Sequence, residues 1–264
     1  MCKSYCIVTP HQGPPFSDVA LLSLRRSSSV LATHRWILAL PDNTDLAPYR
    51  VIHPNIEARY FPSHYFESKR SAQLFYMHPD FFGEFTDFDY ILIHQLDVYV
   101  FEDQLEYWVN FADQNNLDYI GAPWLNHQWL HFAKNPLARL PWQWLLNETV
   151  GSGGFSLRKV KTCLDACSKN RFVIENILKH FIPEDIYWCQ LAQYMGSDIR
   201  RPSARDAARF AFETECQKCL EWNGGKLPFA AHGWNRHEWD FWRPIIPGSE
   251  AIYEELSSNG VKPL

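Results

Sequence analysis

Two polar residues, Gln95 and Asp97, follow the most hydrophobic run of the sequence, Tyr90-Ile-Leu-Ile-His94. A nearly continuous apolar run of this length predicts a strand buried on both faces, as in a parallel sheet. In open α/β sheets, ligands bind beyond the carboxyl ends of such strands. Asp97 could hold a divalent metal that neutralises a pyrophosphate there, although an aspartate after a strand is also typical of a turn or a helix cap.

A cluster of glycines, Gly151-Ser-Gly-Gly154, lies in the second half of the chain. Three glycines within four residues let the backbone approach a ligand closely or move as a lid. No Gly-Lys-Ser/Thr follows and the dinucleotide fingerprint is not matched, so the cluster predicts neither a P-loop nor a Rossmann site. A ligand-contacting loop and a plain flexible turn are the two interpretations.

The acidic pair Glu184 and Asp185 comes directly after Pro183. A proline in the first turn and acidic residues near the positive end of the helix dipole predict that a helix begins here. A carboxylate held at this point could deprotonate an acceptor hydroxyl or accept hydrogen bonds from sugar hydroxyls. Simple capping of the helix explains the same residues equally well.

His232 begins a segment, 232–242, that is rich in histidine and tryptophan. A neutral imidazole can ligate a metal already held by a carboxylate. The chain has 11 tryptophans, and their flat rings with one N–H donor fit sugar stacking and hydrophobic packing about equally. The tryptophans that could contact a sugar include Trp124 and Trp234. Three more, Trp129, Trp142 and Trp144, lie between Trp124 and the glycine cluster.

The composition excludes several classes of function. Hydrophobic residues make up 46% of the 264 residues, which is typical of a folded globular protein. A net charge of −5 provides no general attraction to nucleic acid or anionic lipid. No apolar stretch approaches the ~18 residues of a spanning helix, and the amino-terminal residues resemble a first strand more than a signal peptide. We therefore expect a cytoplasmic protein that binds no nucleic acid and has no transmembrane segment, with peripheral association with a membrane left open.

The 7 cysteines are expected to be thiols, which are commonly buried as small hydrophobic side chains in a reducing compartment. The alternative is a zinc site formed by Cys216 and Cys219 with Cys163 and Cys167. Its spacing is loose and both pairs fall in segments with helical patterns, so the sequence favours thiols.

Predicted strands and helices alternate along the chain, which indicates an α/β protein with parallel crossovers. The predicted strands are 5–9, 34–40, 90–94 and 117–124, and the predicted helices are 18–31, 68–82, 105–111, 162–168, 172–181, a further helix that begins at 183, and 210–222. We find no internal repeat, low-complexity segment or interdomain linker. The sequence therefore predicts a single domain, 1–264.

Five segments occur in a fixed order: Tyr90-Ile-Leu-Ile-His-Gln-Leu-Asp97, Asp118-Tyr-Ile-Gly-Ala-Pro-Trp124, Gly151-Ser-Gly-Gly-Phe-Ser-Leu-Arg158, Pro183-Glu-Asp185 and His232-Gly-Trp234. This series resembles the DUF5672 family, whose members are regarded as GT-A-like glycosyltransferases of bacterial polysaccharide biosynthesis. The resemblance covers about 61–234, and its most specific parts are the second and third segments. It implies an α/β, single-domain GT-A-like fold, a mixed central sheet flanked by helices, with a nucleotide-binding half at about 1–125 and an acceptor-side half at about 126–264.

The resemblance also implies a reaction: transfer of a sugar from a nucleotide-sugar donor to a saccharide acceptor of a cell-surface polysaccharide. Gln95-Leu96-Asp97 takes the place of the Asp-x-Asp motif of GT-A enzymes, with a neutral amide in place of the first carboxylate. Asp97 and His232 are then the expected ligands of a divalent metal, Mn²⁺ or Mg²⁺. Asp185 is the expected catalytic base and Glu184 its neighbour.

Further residues are assigned to the two substrates by the same resemblance. Donor binding is expected from Thr9, Arg70, Gln95, Asp97 and Arg158, the last as a cation for the departing diphosphate. Contacts with the acceptor or sugar are expected from Trp124, Gly153, Gly154 and Trp234.

Two other classes of protein compete with a transferase. A catalytically inactive carbohydrate- or nucleotide-binding protein of the same fold would account for the missing first carboxylate. A hydrolase acting on the same sugars would need a pair of carboxylates placed as in glycosidases, and the sequence shows no such pair. The sequence thus favours the transferase.

Overall fold

The computed structural model describes residues 3–125, 148–178 and 183–261. Trp129, Trp142 and Trp144 lie outside the described residues. The strands, in chain order, are β1 (Tyr5–Pro10), β2 (Trp36–Pro41), β3 (Glu57–Phe61), β4 (Tyr90–His94), β5 (Val98–Val100), β6 (Tyr119–Ile120), β7 (Pro123–Trp124), β8 (Thr149–Val150), β9 (Phe155–Lys159), β10 (Ala211–Phe212) and β11 (Ala230–His232).

The α-helices are α1 (Asp18–Val30), α2 (Ala47–Arg50), α3 (Lys69–Phe75), α4 (Pro79–Gly83), α5 (Leu105–Gln114), α6 (Val160–Val173), α7 (Glu184–Ile186), α8 (Ala192–Tyr194), α9 (Ala204–Phe210), α10 (Cys216–Trp222), α11 (Trp239–Trp242) and α12 (Ser249–Ser258). A 3₁₀ turn covers Ser63–Phe66, and π-helical turns cover Ile174–Leu178 and Tyr187–Leu191. None of the helices in the described ranges has the length and hydrophobicity needed to cross a lipid bilayer.

A six-stranded mixed sheet, ordered β3-β2-β1-β4-β9-β6, forms the centre of the molecule. Strands β3, β2, β1 and β4 are parallel to one another. Strand β9 is antiparallel to both of its neighbours, β4 and β6. Every residue of β4 is buried, because separate apolar clusters cover the two faces of the sheet. Burial on both faces explains the continuous apolar run 90–94. The strand pairing and the two covered faces confirm the predicted mixed sheet flanked by helices.

A second sheet of three short strands, β10-β11-β5, lies beyond the carboxyl end of β4. In it β11 runs antiparallel to β5, so that His232 is paired with Val98. The backbone N–H of Gly233 donates to the carbonyl of Asp97 at 3.0 Å. This pairing brings the carboxyl-terminal segment of the chain against the residues that follow β4.

Several predicted elements have other boundaries in the structure. The single helix predicted over 68–82 is wrong: it is α3 and α4, because the residue before a proline avoids the helical region and His78 instead caps α4 ahead of Pro79. The predicted helix 210–222 is also wrong in its first half, where β10 precedes α10. The predicted strand 117–124 is divided into β6 and β7. As far as Leu178, where the described residues end, the helices predicted at 162–168 and 172–181 are one helix, α6, followed by a π turn.

The cysteines of the described ranges are free and buried, which confirms the prediction of thiols. Cys163 and Cys167 belong to one apolar cluster and Cys216 and Cys219 to another. No group of three or more His, Cys, Asp or Glu residues in the described part of the chain is arranged to hold a metal ion.

Candidate active site

A cleft of about 620 Å³ opens at the carboxyl ends of β1 and β4. Its position is the one expected for ligands in an α/β sheet. The acidic residues that line it are Asp97, Glu184, Asp185 and Glu213, and other lining residues include Pro10, His11, Lys69, Tyr76, Gln95, Gly154, His232, Asn235, Arg236 and His237. The fold therefore brings together Gln95, Asp97, Gly154, Glu184, Asp185 and His232, which the sequence had assigned to one site.

His232 connects two of these carboxylates. Its Nε2 lies 3.4 Å from Oδ1 of Asp97, and its Nδ1 lies 2.8 Å from Oε1 of Glu213. Burial by itself lowers the pKa of His232, but the two carboxylates outweigh burial and raise it to about 10. A ring protonated on both nitrogens would present one N–H group to each acid.

Asp97 has a cation on each side. Burial by itself raises the pKa of Asp97, but His232 and Arg236 outweigh it and hold this pKa well below its usual range. Oδ2 of Asp97 lies 2.7 Å from Nη2 of Arg236, whose side chain is 39% exposed. Asp97 is thus an ionised carboxylate between a histidine and an arginine.

Glu213 is a site residue that sequence reasoning missed. It accepts from Nε1 of Trp124 at 3.1 Å as well as from His232. Burial by itself raises the pKa of Glu213, but His232 outweighs burial and lowers it to about 2. The segment around Glu213 has a helical pattern in the sequence. No local signal indicated that Glu213 pairs with His232, which is 19 residues further along the chain. Trp124 is therefore anchored at the edge of the site through Glu213.

Glu184 and Arg158 form a buried ion pair behind the cleft. Nη2 of Arg158 lies 3.2 Å from both carboxylate oxygens of Glu184, and the Arg158 side chain has no exposed surface. Burial raises the pKa of Glu184, and the guanidinium of Arg158 opposes this shift. Arg158 does not line the cleft, so the structure places it where it supports Glu184 and not in contact with a ligand in the cleft.

Asp185 faces the cleft next to Glu184. Its Oδ1 accepts the backbone N–H of Gly153 at 2.7 Å. Burial raises the pKa of Asp185, and the charge of Glu213 adds to this effect. Among the described residues Asp185 forms no ion pair, whereas each of the other three acids lining the cleft does.

The glycine cluster packs tightly between these side chains. A Cβ on Gly153 would overlap the carboxylates of Glu184 and Asp185, one on Gly154 would overlap the ring of His232, and one on Gly151 would overlap the indole of Trp124. The glycines are thus needed for close packing of the site residues, and the interpretation as a plain flexible turn does not account for this.

We predict that Gly153→Ala lowers the free energy of unfolding by about 1–3 kcal/mol, the usual cost of overpacking a filled site. The added methyl group must push Glu184 or Asp185 out of place, so ligand affinity should fall as well. Thermal and denaturant unfolding measure the effect. Gly83→Ala is the matched control, because no atom lies within 4 Å of a Cβ at Gly83. Equal stability of the two variants would show that the site adapts without cost.

Six of the residues assigned by the resemblance do not line the cleft: Thr9, Arg70, Trp124, Gly153, Arg158 and Trp234. Thr9 is fully buried and accepts from Nε1 of Trp36 at 2.9 Å. Trp234 is fully buried in the carboxyl-terminal apolar cluster. Arg70 contacts Gln73 at 3.3 Å and the carbonyl of Leu178 at 3.4 Å, beside the cleft wall formed by α3.

The donor atoms at Asp97 fit a divalent cation through two protein ligands. Ligands about 2.1 Å from one ion lie roughly 3 Å apart, close to the 3.4 Å between Oδ1 of Asp97 and Nε2 of His232. The contact between Nδ1 of His232 and Glu213 is the second partner that metal-ligating histidines have. An ion here would displace the proton on Nε2 and the Arg236 side chain, and its other ligands would be phosphate oxygens and water.

The mixed sheet and the cleft at its strand ends define the class of fold, the GT-A fold of glycosyltransferases. The galactosyltransferase LgtC, solved in complex with donor and acceptor sugar analogues, superimposes with a TM-score of 0.58 at 13% sequence identity, covering 96% of this chain and 95% of LgtC. At such low identity the likeness shows a shared fold.

Within that fold, the chain belongs to the family described as "Protein of unknown function (DUF5672)", whose model matches residues 55–232. Two other similar structures are the bifunctional glycosyltransferase WbbM (TM-score 0.53, 13% identity, 96% of this chain but 52% of WbbM) and mouse xyloside xylosyltransferase 1 (TM-score 0.51, 9% identity, 87% of this chain and 97% of the mouse chain). This chain therefore spans about half the length of WbbM. No curated protein sequence matches it significantly.

Proposed function

We propose that this protein is a cytoplasmic glycosyltransferase that moves a sugar from a nucleotide-sugar donor to a saccharide acceptor of a cell-surface polysaccharide. The observation that carries the proposal is the convergence of the acidic residues and His232 on one cleft at the strand ends of a GT-A fold. The polysaccharide acceptor follows from the resemblance of the sequence segments to enzymes of bacterial polysaccharide biosynthesis.

Asp185 is proposed as the catalytic base. It is the acidic residue of the cleft that no cation neutralises within the described ranges, and burial raises its pKa, which makes its carboxylate more basic than an exposed one. In an inverting transfer this carboxylate takes the proton of the acceptor hydroxyl. The hydroxyl oxygen attacks the anomeric carbon while the bond from that carbon to the diphosphate breaks.

Glu184 is proposed to hold Asp185 in place. Its pair with Arg158 fixes the start of α7, and the same Arg158 side chain donates to the carbonyl of Gly153 at 3.2 Å. Because the N–H of Gly153 donates to Asp185, one buried cation orients both the glycine and the acidic pair. This arrangement would keep the base aligned with the acceptor.

The donor side of the site is proposed to lie at the end of β4. Gln95 offers an amide to the ribose or the sugar, and Asp97 and His232 would hold a divalent cation. Such a cation, when bound, would neutralise charge that develops on the departing diphosphate. Gly154 leaves room for the His232 ring, and Trp124 would close the acceptor side, where Glu213 fixes its indole.

We predict that at least one nucleotide sugar stabilises the protein in a thermal-shift screen of UDP-, GDP-, CMP- and dTDP-sugars. A ligand at 100 times its dissociation constant should add about 2.7 kcal/mol to the free energy of unfolding. The same panel, with saccharide acceptors, measures transfer and donor hydrolysis. Transfer is expected to fall when EDTA is added; unchanged transfer would remove the metal from the proposal.

The outcomes of this screen separate the two candidate functions. Stabilisation together with sugar transfer supports the transferase. Stabilisation with neither transfer nor donor hydrolysis, over the whole acceptor panel, would indicate the inactive binding protein of the same fold. If no nucleotide sugar stabilises the chain, with or without Mn²⁺, the site does not bind this class of ligand and the proposal fails.

A further inference from the structure

Arg236 lies where a cation bound to Asp97 would be expected. Its Nη2 is 2.7 Å from Oδ2 of Asp97 and 3.5 Å from Nε2 of His232, so the guanidinium sits against both expected metal ligands. Gly233 makes this placement possible: it has a positive φ of 64°, and a Cβ there would lie 3.2 Å from Nη2 of Arg236. The turn after β11 thus delivers a fixed positive charge to the end of β4.

The wall of the cleft beside Arg236 has unused hydrogen-bonding capacity. Nε of Arg236 and Oδ1 of Asn235 are both buried, and neither has a hydrogen-bond partner among the described residues. Buried polar atoms are rarely left unpaired, so each of these two atoms is expected to meet a ligand or an ordered water. A ligand with a phosphate oxygen and a hydroxyl would satisfy both atoms.

The charges in the cleft also indicate that Arg236 contacts a phosphate. The acidic residues that line it would repel a diphosphate unless cations offset them. Lys69 lies at the rim and is exposed, whereas Arg236 is half-buried at the strand end. A guanidinium presents several N–H groups in a planar fork, so it can keep one on Asp97 while others reach a phosphate.

We propose that Arg236 is the built-in cation of this cleft: while no divalent ion is bound, it neutralises Asp97 and binds the diphosphate of the donor, and it competes with a divalent ion for Asp97. The proposal rests on the function proposed above for its donor. It differs from metal binding by Asp97 and His232, because it assigns the positive charge to a side chain of the protein itself.

The test compares Arg236→Met with Arg243→Met. Arg243 is a matched control because it lies in the same carboxyl-terminal segment, is 44% exposed, forms one ion pair within the described ranges, with Glu250 at 3.1 Å, and does not line the cleft. Two quantities are measured by calorimetry: Mn²⁺ binding without nucleotide, and binding of UDP and GDP in EDTA. Arg236→Lys, which keeps the charge and loses the fork, is measured alongside.

In EDTA, wild type and Arg243→Met should bind at least one of the two diphosphates, and Arg236→Met should bind it about tenfold or more weakly, the usual effect of losing a charged hydrogen bond. Arg236→Met should bind Mn²⁺ about tenfold more tightly than wild type, because Asp97 is freed. Arg236→Lys should have affinities for the diphosphate and for Mn²⁺ that lie between those of wild type and those of Arg236→Met. Unchanged diphosphate binding or unchanged Mn²⁺ binding in Arg236→Met would overturn the proposal.

Failure of the proposed function gives a different result. If wild type binds no nucleoside diphosphate and no nucleotide sugar with or without Mn²⁺, the transferase is excluded, and the diphosphate role of Arg236 is excluded with it. The Mn²⁺ measurement still decides whether Arg236 competes for Asp97, since it needs no nucleotide. If wild type binds diphosphates only when Mn²⁺ is present, the built-in cation is excluded while the transferase stands.

Discussion

Asp185→Asn is expected to lower the rate of sugar transfer by about 10²–10⁴-fold, the contribution of a positioned general base. The amide has the shape of the carboxylate, and its oxygen can still accept the N–H of Gly153, so the site should keep its structure. It cannot take the acceptor proton. Donor binding should therefore stay near that of wild type while turnover is lost.

Two measurements make this expectation specific. Asp165→Asn is the control: this aspartate is exposed on α6 and pairs with Lys161, so transfer should be unchanged. The pH profile of kcat/KM of the wild type should fall towards acid, because the base works only when ionised. Since burial raises the pKa of Asp185, that fall should lie above the ordinary aspartate value of about 4. Near-normal turnover of Asp185→Asn would remove Asp185 from this role.

Arg158→Met is expected to lower the free energy of unfolding by about 3–5 kcal/mol, the cost of breaking a buried ion pair from one side. Glu184 would be left buried without its cation, and the guanidinium also packs 5.3 Å from the ring of Tyr119 and 5.5 Å from that of Trp188. Thermal and denaturant unfolding measure the loss. Transfer should fall in the same variant, because Arg158 holds Gly153 and Glu184 beside the base.

A double variant tests the cause of that loss. Arg158→Met with Glu184→Gln removes both charges, so it should regain part of the lost stability. Lys161→Met is the matched surface control, since Lys161 pairs with Asp165 at 2.6 Å but is 83% exposed, and such pairs contribute little. If Arg158→Met were no less stable than Lys161→Met, the buried pair would not be what holds α7 in place.

Much of the fold could be predicted because its signals are local. The apolar run 90–94 predicted a buried strand, and its burial pattern in the sheet confirms this. Pro183 predicted the start of a helix, and α7 begins at the next residue. The prediction failed where one pattern fits two structures: the apolar residues of 68–82 repeat at helical spacing, yet Pro79 divides that segment into two helices.

The site was predicted less completely, because its electrostatics depend on which side chains meet across the fold. Gln95, Asp97, Glu184, Asp185 and His232, which line the cleft, were singled out through motifs that each occupy a few residues. The residues that pair with them and set their charge states were not predicted. Glu213 belongs to no recognisable motif, and Arg236 was not singled out. Arg158 was expected to contact the diphosphate of the donor.

The sequence by itself therefore determined the α/β class, the family, and the strand end at which the candidate cleft lies, since hydrophobic runs and short ordered motifs carry that information. The tertiary structure alone decided how the charges are paired. His232 reaches Asp97 because β11 pairs with β5 in one register, over a separation of more than 130 residues. Such a register depends on packing of the whole core, so no local pattern could show which acid would remain without a cation.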